Sequence, residues 1–138
     1  MAAGVEQDLS EGVARMPFAA RLGLREVRGG VDRVTAVADW APEHCTSGNI
    51  LHGGYLMAIA DTLGAMLAGQ NLDPDAGTTT IESKTNFIRG VSEGTTIAIT
   101  SVPVHVGRTT IVVQTDVTRP DGKLVSRTTQ TQAVLRRP

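Results

Sequence analysis

The sequence predicts an α+β domain in which one long buried helix lies against an antiparallel sheet. Three observations carry this. Residues 53–72, GGYLMAIADTLGAMLAGQNL, are a run of helix-forming, mostly apolar residues with a single charge, Asp61. Four β-rich runs follow, near 78–89, 94–106, 109–119 and 123–135. Pro120-Asp121-Gly122 is a hairpin turn between the last two, which makes that pair antiparallel.

From the N-terminus, residues 1–9 read as a loose tail. Ser10 is placed to cap a short helix, and Pro17 suits the first turn of another, MPFAARL, which Gly23 ends. Residues 24–39 include VDRVTAVAD and read as a strand, with Gly29-Gly30 as a turn or bulge. The loop 40–51 carries Pro42 and the polar group HCTSGN, and NLDPDAG breaks the chain after the helix. The run 109–119 alternates, with Ile111, Val113, Thr115 and Val117 on one side and Val112, Gln114, Asp116 and Thr118 on the other. Residues 1–21 are thus expected to form a tail and short helix, and 22–138 a single domain.

Bulk properties narrow the function. At 138 residues and 41% hydrophobic content the chain suits one domain around one core. One Trp, one Tyr and two Phe leave that core to Val, Ile, Leu and Ala. The net charge of −1, without a basic block, argues against nucleic acid as a partner. A lone cysteine, Cys45, excludes an intramolecular disulfide, and no basic stretch leads into an apolar signal core, so the cytoplasm is the expected compartment. The apolar stretch at 53–69 is short, rich in Gly and interrupted by Asp61, and no membrane partner is expected.

Asp61 is the most informative residue. A carboxylate inside a helix that is apolar on nearly every face is expected to be buried, which is costly unless a polar group receives it. A structural ion pair with an Arg, or the capping of a loop, is the plain explanation. Just upstream, His52-Gly53-Gly54 opens the helix, and its glycines leave the first N–H groups accessible to a close ligand. Such amides hold an anion, or a carbonyl oxygen turning negative during acyl transfer. At 1.5 Å per residue, Asp61 stands roughly 10 Å along the axis from Gly54. An oxyanion donor and a base must both reach within about 3 Å of the reacting group, so one helix does not easily supply both. Two copies with these helices side by side and antiparallel could. Gly54, Gly64, Ala65 and Ala68 are small enough, on the Asp61 side, to leave room for a partner helix or a ligand.

The order of motifs is specific. HGG with AD at 60–61, then TTIESKTNFIRG, VGRTT and RPDGKLVSRTT, resembles the hotdog-fold acyl-CoA thioesterases over residues 22–135. It most resembles the phenylacetate-pathway type within the 4-hydroxybenzoyl-CoA thioesterase superfamily. The resemblance implies a hotdog fold, a long central helix wrapped by a curved antiparallel sheet. It implies hydrolysis of an aromatic or medium-chain acyl-CoA, with CoA present only as part of the substrate, and self-association as a homodimer or homotetramer. Asp61 matches the catalytic carboxylate, acting as general base or nucleophile. Gly53 matches the oxyanion amide, His52 the histidine that orients this turn or the thioester, and Thr80, within the TTT at 78–80, a hydroxyl that places water. Family members often have Asn six residues before the histidine. Thr46 stands there in this chain and could serve with its hydroxyl, or Asn49, only three before, could substitute through a shifted loop.

Other residues carry less. His44 and His105 lack a partner at ligand spacing, so no metal site is expected. Cys45 beside His44 suggests a thiol nucleophile only superficially, because neighbours in an extended loop point apart. Arg119, Lys123 and Arg127 read as solvated strand ends; Arg89 and Arg108, beside turns, are the candidates to hold CoA phosphates. Two rival functions are a hotdog enoyl-CoA hydratase and a non-catalytic acyl-CoA binding module in which Asp61 is an interface residue.

Overall fold

The computed structural model describes residues 5–138, and the part of the expected tail at 1–4 lies outside the described residues. The rest of the tail is not loose. Gln7–Asp8 forms a short strand, β1, paired antiparallel with β2 (Arg25–Gly29). The first helix, α1, spans Ser10–Ala14, and Ser10 is its first residue rather than its cap. Asp8 supplies the side chain instead, its Oδ1 accepting the Ser10 N–H at 2.9 Å. The second expected helix is a single 3₁₀ turn, Ala19–Arg21, which gives way at Gly23 with φ +72°.

Residues 24–39 are a hairpin and not one strand: β2 returns as β3 (Val34–Asp39) through a turn closed by the Gly30 N–H on the Arg33 carbonyl at 2.9 Å. Gly29 is required here because a Cβ would run into the Arg33 carbonyl. The long helix, α2, spans Gly53–Gln70, and four strands follow: β4 (Ala76–Phe87), β5 (Thr96–Val106), β6 (Thr110–Thr118) and β7 (Leu124–Arg136). The expected turn between the last two is present, with the Gly122 N–H on the Arg119 carbonyl and Gly122 at φ +81°.

All seven strands form one antiparallel sheet in the order β1-β2-β3-β5-β6-β7-β4. After β3 the chain crosses the sheet as α2, lays β4 at the far edge, and fills the gap with β5, β6 and β7. Helix α2 packs against five strands, β3 to β7. Five flat strands would be about 19 Å wide and a helix only about 10 Å, so the sheet must curve to reach it. Register shifts in β2, β4, β5 and β6–β7 supply local twist. This is the hotdog arrangement.

The core is aliphatic. Ile59, Leu63 and Leu67 of α2 meet Val34, Ile97, Ile99 and the inward side of β6, where Ile111, Val113, Thr115 and Val117 are buried as the alternation predicts. Toward β4 its character changes. The inward residues of β7 are Ser126, Thr128, Gln130 and Gln132, all buried, and those of β4 include Thr78, Thr80 and Thr85, half-buried. Burying amides and hydroxyls costs free energy unless they are hydrogen-bonded, so this polar seam is a feature to be explained. No helix among the described residues is long and apolar enough to cross a membrane.

Candidate active site

The site begins where the loop becomes helix. His52 is the N-cap of α2, extended at φ −65° and ψ 139°, and its Nδ1 accepts the Gly54 N–H at 2.7 Å. A nitrogen that accepts cannot carry the proton, so the ring proton belongs on Nε2. This bond ties the His52 ring to the first turn of α2. Gly54 permits this, since a Cβ there would crowd the imidazole. With Gly54 occupied, the Gly53 N–H has no acceptor among the described residues. Gly53 opens on a cavity of about 310 Å³ lined also by Thr46, Ile50, Phe87 and Arg89. A second cavity, about 290 Å³, lies beside His52 and Gly54 between Phe18, Leu22, Tyr55 and Ala58.

Asp61 is exposed in the single chain, contrary to the expectation of burial. An all-apolar helix face need not face the core when its residues are small: Ala58 and Ala65, one turn either side of Asp61, are only half-buried. Gly64 and Ala68, expected to leave space for a partner, are buried against the chain's own interior. Asp61 reaches over the β4 side of the sheet. Its Oδ1 accepts the Thr80 hydroxyl at 2.7 Å and the Gln130 amide at 3.0 Å. Its Oδ2 accepts nothing among the described residues, and no Arg or Lys forms an ion pair with it there. The structural ion pair is therefore not its role.

Of the three threonines at 78–80, Thr80 is the one whose hydroxyl reaches Asp61. Thr78 and Thr80 face inward and Thr79 outward, and at Ile81 the β4–β7 pairing slips, a bulge of the kind that re-aims side chains beside sites. The Thr80 oxygen in turn accepts the Gln132 amide at 2.6 Å, and the Gln132 carbonyl accepts the Thr78 hydroxyl at 3.1 Å. Neither glutamine is among the residues expected from sequence. The available signal was SRTTQTQ itself, a stretch of β7 whose buried side chains are all polar.

The remaining candidates are scattered. Asn49 is exposed at φ +58°, its carbonyl accepting the Trp40 indole N–H at 2.9 Å, and Thr46 rather than Asn49 lines the Gly53 cavity. Arg89 lines that cavity too, with its guanidinium on the Leu124 carbonyl. Arg108 lies at the other end of α2, in an open cleft with Asn71, Asp73 and Arg136, so one chain does not bring the two arginines together. Arg127 is not a free strand end, being paired with Asp116 directly across β6 at 2.7 and 2.8 Å. The Cys45 thiol is pushed up by burial and by Glu43 and Glu93, the wrong direction for a nucleophile. His44 stacks on Tyr55 with ring centroids 4.1 Å apart.

Known proteins resemble this chain in sequence or in fold. ComA2 of Bacillus subtilis strain 168 is 32% identical over 118 residues, 84% of this chain and 92% of its own length. A Vibrio cholerae protein is 34% identical over 87 residues, 63% of this chain and 57% of its own length. Both carry provisional esterase names. A hypothetical thioesterase protein from Streptococcus pneumoniae TIGR4, solved with coenzyme A, superposes with TM-score 0.72. That match covers 83% of this chain and 87% of the other at 22% identity, a likeness of fold. Residues 48–126, from the helix-capping loop through the start of β7, match the family model described as the thioesterase superfamily, and the chain belongs to that superfamily.

Proposed function

We propose that the protein hydrolyses an acyl-CoA thioester to a free acid and CoA, in a site shared between two subunits. The observation that carries this is the asymmetry of Asp61: Oδ1 is held by two donors while Oδ2 stands free on an exposed helix face. A carboxylate fixed on one oxygen presents the other to a water or to a carbonyl carbon.

Acting as base, Asp61 takes a proton from water as the hydroxide adds to the thioester carbon. The carbonyl oxygen, now negative, accepts the Gly53 N–H at the positive end of α2. The C–S bond then breaks and CoA leaves as a thiolate, which needs no dedicated acid. Acting as nucleophile, Asp61 instead forms an acyl anhydride that water cleaves. Within one chain Gly53 and Asp61 are eight residues, or about 12 Å, apart along the axis, too far to serve one carbonyl. The free edge of β4 supports a second subunit: among the described residues this strand of 12 residues pairs only with β7, and Ile81 and Phe87 on it are 59% and 52% exposed. A long edge strand with its outer backbone groups unpaired and two large apolar side chains exposed invites pairing with another chain. Antiparallel pairing of two β4 strands would lay the two α2 helices side by side and antiparallel, Gly53 of each toward Asp61 of the other.

The cavities at the helix start, near 300 Å³ each and lined by Phe87 or by Phe18 and Tyr55, favour an aromatic or medium-chain acyl group. Arg89 at the Gly53 cavity is the best-placed cation for a CoA phosphate. The test is CoA release, followed with a thiol reagent, from acetyl, hexanoyl, palmitoyl, phenylacetyl and hydroxybenzoyl thioesters. Wild type should release CoA and Asp61→Asn should be slower by at least about a hundredfold, the size of a positioned acid–base group. Absence of release from every thioester, or an Asp61→Asn variant within a few fold of wild type, defeats the proposal.

A further inference from the structure

Gln130 is fully buried on β7, yet only half of its amide is satisfied. Its Nε2 donates to Asp61 Oδ1 at 3.0 Å, while its Oε1 is buried with no hydrogen-bond partner among the described residues. An apolar residue of the same size would avoid that cost, so stability of the fold does not explain the glutamine. The helix is shaped around it. Gly64, three residues beyond Asp61, lies against the amide, and a methyl group there would overlap Oε1. A helix-interior glycine is itself unfavourable relative to alanine. Two local sacrifices, an unsatisfied carbonyl oxygen and a glycine in mid-helix, thus converge on one hydrogen bond to Asp61.

The second donor to the same oxygen is directed just as firmly. Gln132 donates to Thr80 Oγ1 at 2.6 Å, so the Thr80 proton is left to point at Asp61. The Thr78 hydroxyl lies between the Gln132 side-chain carbonyl, at 3.1 Å, and the Ala133 backbone carbonyl, at 3.0 Å, so the directed relay runs from the Gln132 amide through Thr80 to Asp61 Oδ1.

We infer that Gln130 is a positioning residue for hydrolysis, clamping Oδ1 of Asp61 together with Thr80 so that Oδ2 alone faces the reacting group. The inference rests on Asp61 being the reacting carboxylate. It separates activity from stability: Gln130→Met keeps length and bulk, removes the donor, and also removes the orphaned oxygen.

The experiment compares wild type, Gln130→Met, Asp61→Asn and the double variant, reading kcat and KM for the best thioester and the thermal midpoint of each. Gln130→Met should lower kcat by about tenfold or more, the value of a hydrogen bond to a charged group, with KM within about twofold. Its thermal midpoint should equal or exceed that of wild type. In the Asp61→Asn background the same change should cost less than about twofold, because the two residues act as one unit. Gly64→Ala, which keeps the amide but displaces it, should reproduce the kcat loss if Gln130→Met does not fold. A Gln130→Met kcat within threefold of wild type, with Asp61→Asn inactive, overturns the role of Gln130 alone. An active Asp61→Asn overturns the Asp61 reading and this inference with it.

Discussion

Thr80 and Asp61, 19 residues apart and on different elements, meet in a 2.7 Å hydrogen bond whose direction is fixed by a third residue. Because Gln132 donates to Thr80 Oγ1, the Thr80 hydroxyl has one role left, to donate to the carboxylate. The bulge at Ile81 follows at once, so the strand is regular up to the residue that makes this contact.

Thr80→Val keeps the branched shape and removes the hydroxyl. Its kcat should fall about tenfold, in line with a hydrogen bond to a charged acceptor. Thr79→Val, one residue away on the exposed side of β4, should change kcat by less than about twofold. Steady-state kinetics on the pair checks the register: equal effects at the two positions would contradict the contact.

Gly53 can be tested without dismantling the helix. Proline is well tolerated at the first helical position, where its missing N–H costs no internal bond, and His52 is already extended as a residue before proline should be. Gly53→Pro should therefore keep the helix while removing the amide proposed to face the oxyanion, lowering kcat by about a hundredfold or more. Gly53→Ala is the control. It retains the N–H, and its Cβ would approach the Phe87 ring at 3.1 Å, a contact a small ring shift relieves. Circular dichroism should show equal helix content, and similar kcat values for the two variants would refute the oxyanion role.

Sharing of the site between subunits predicts complementation. Asp61→Asn retains Gly53 and Gly53→Pro retains Asp61, so each heterodimer of the two would contain one intact site. Unfolding, mixing and refolding the two inactive variants in equal amounts should restore about a quarter of wild-type activity, the statistical share in a two-fold dimer. Mixtures that stay inactive, while wild type survives the same treatment, would place both groups of each site in one chain.

Much of the fold could be read from the sequence because local chemistry decided it. The α2 helix follows from an apolar helix-forming run, β6 from strict alternation, and the last hairpin from Pro120-Asp121-Gly122 with Gly122 at positive φ. The hairpin at 30–33 was harder, since Gly29-Gly30 serves equally as bulge or turn until the Arg33 carbonyl closes the ring. Asp61 is exposed where the sequence predicts burial, for a clear reason. An apolar face built from Gly, Ala and Met can lie open as readily as buried, and only the sheet's curvature decides which. Gln130 and Gln132 were out of reach, because their meaning depends on pairing with Asp61 and Thr80 more than fifty residues earlier.

The start of α2 is pinned by Tyr55, and this gives a pH dependence separate from catalysis. The Tyr55 hydroxyl, buried two residues beyond Gly53, donates to the Leu22 carbonyl at 2.6 Å while His44 stacks on its ring. Burial, with the negative charges of Asp39 and Glu43, pushes its phenol up to about 12. Below pH about 10 folded and unfolded chains both keep the proton. Above that the unfolded chain releases it first, so Tyr55 should cost stability progressively as pH rises from 10 toward 12. Tyr55→Phe lacks both the hydroxyl and this titration. At neutral pH it should be destabilised by about 1 kcal/mol for the lost hydrogen bond. Between pH 10 and 12 the gap should narrow, because wild type loses stability there and the variant does not lose this part. Urea midpoints across that window test the point, and a gap that stays constant would show that the phenol does not govern alkaline stability.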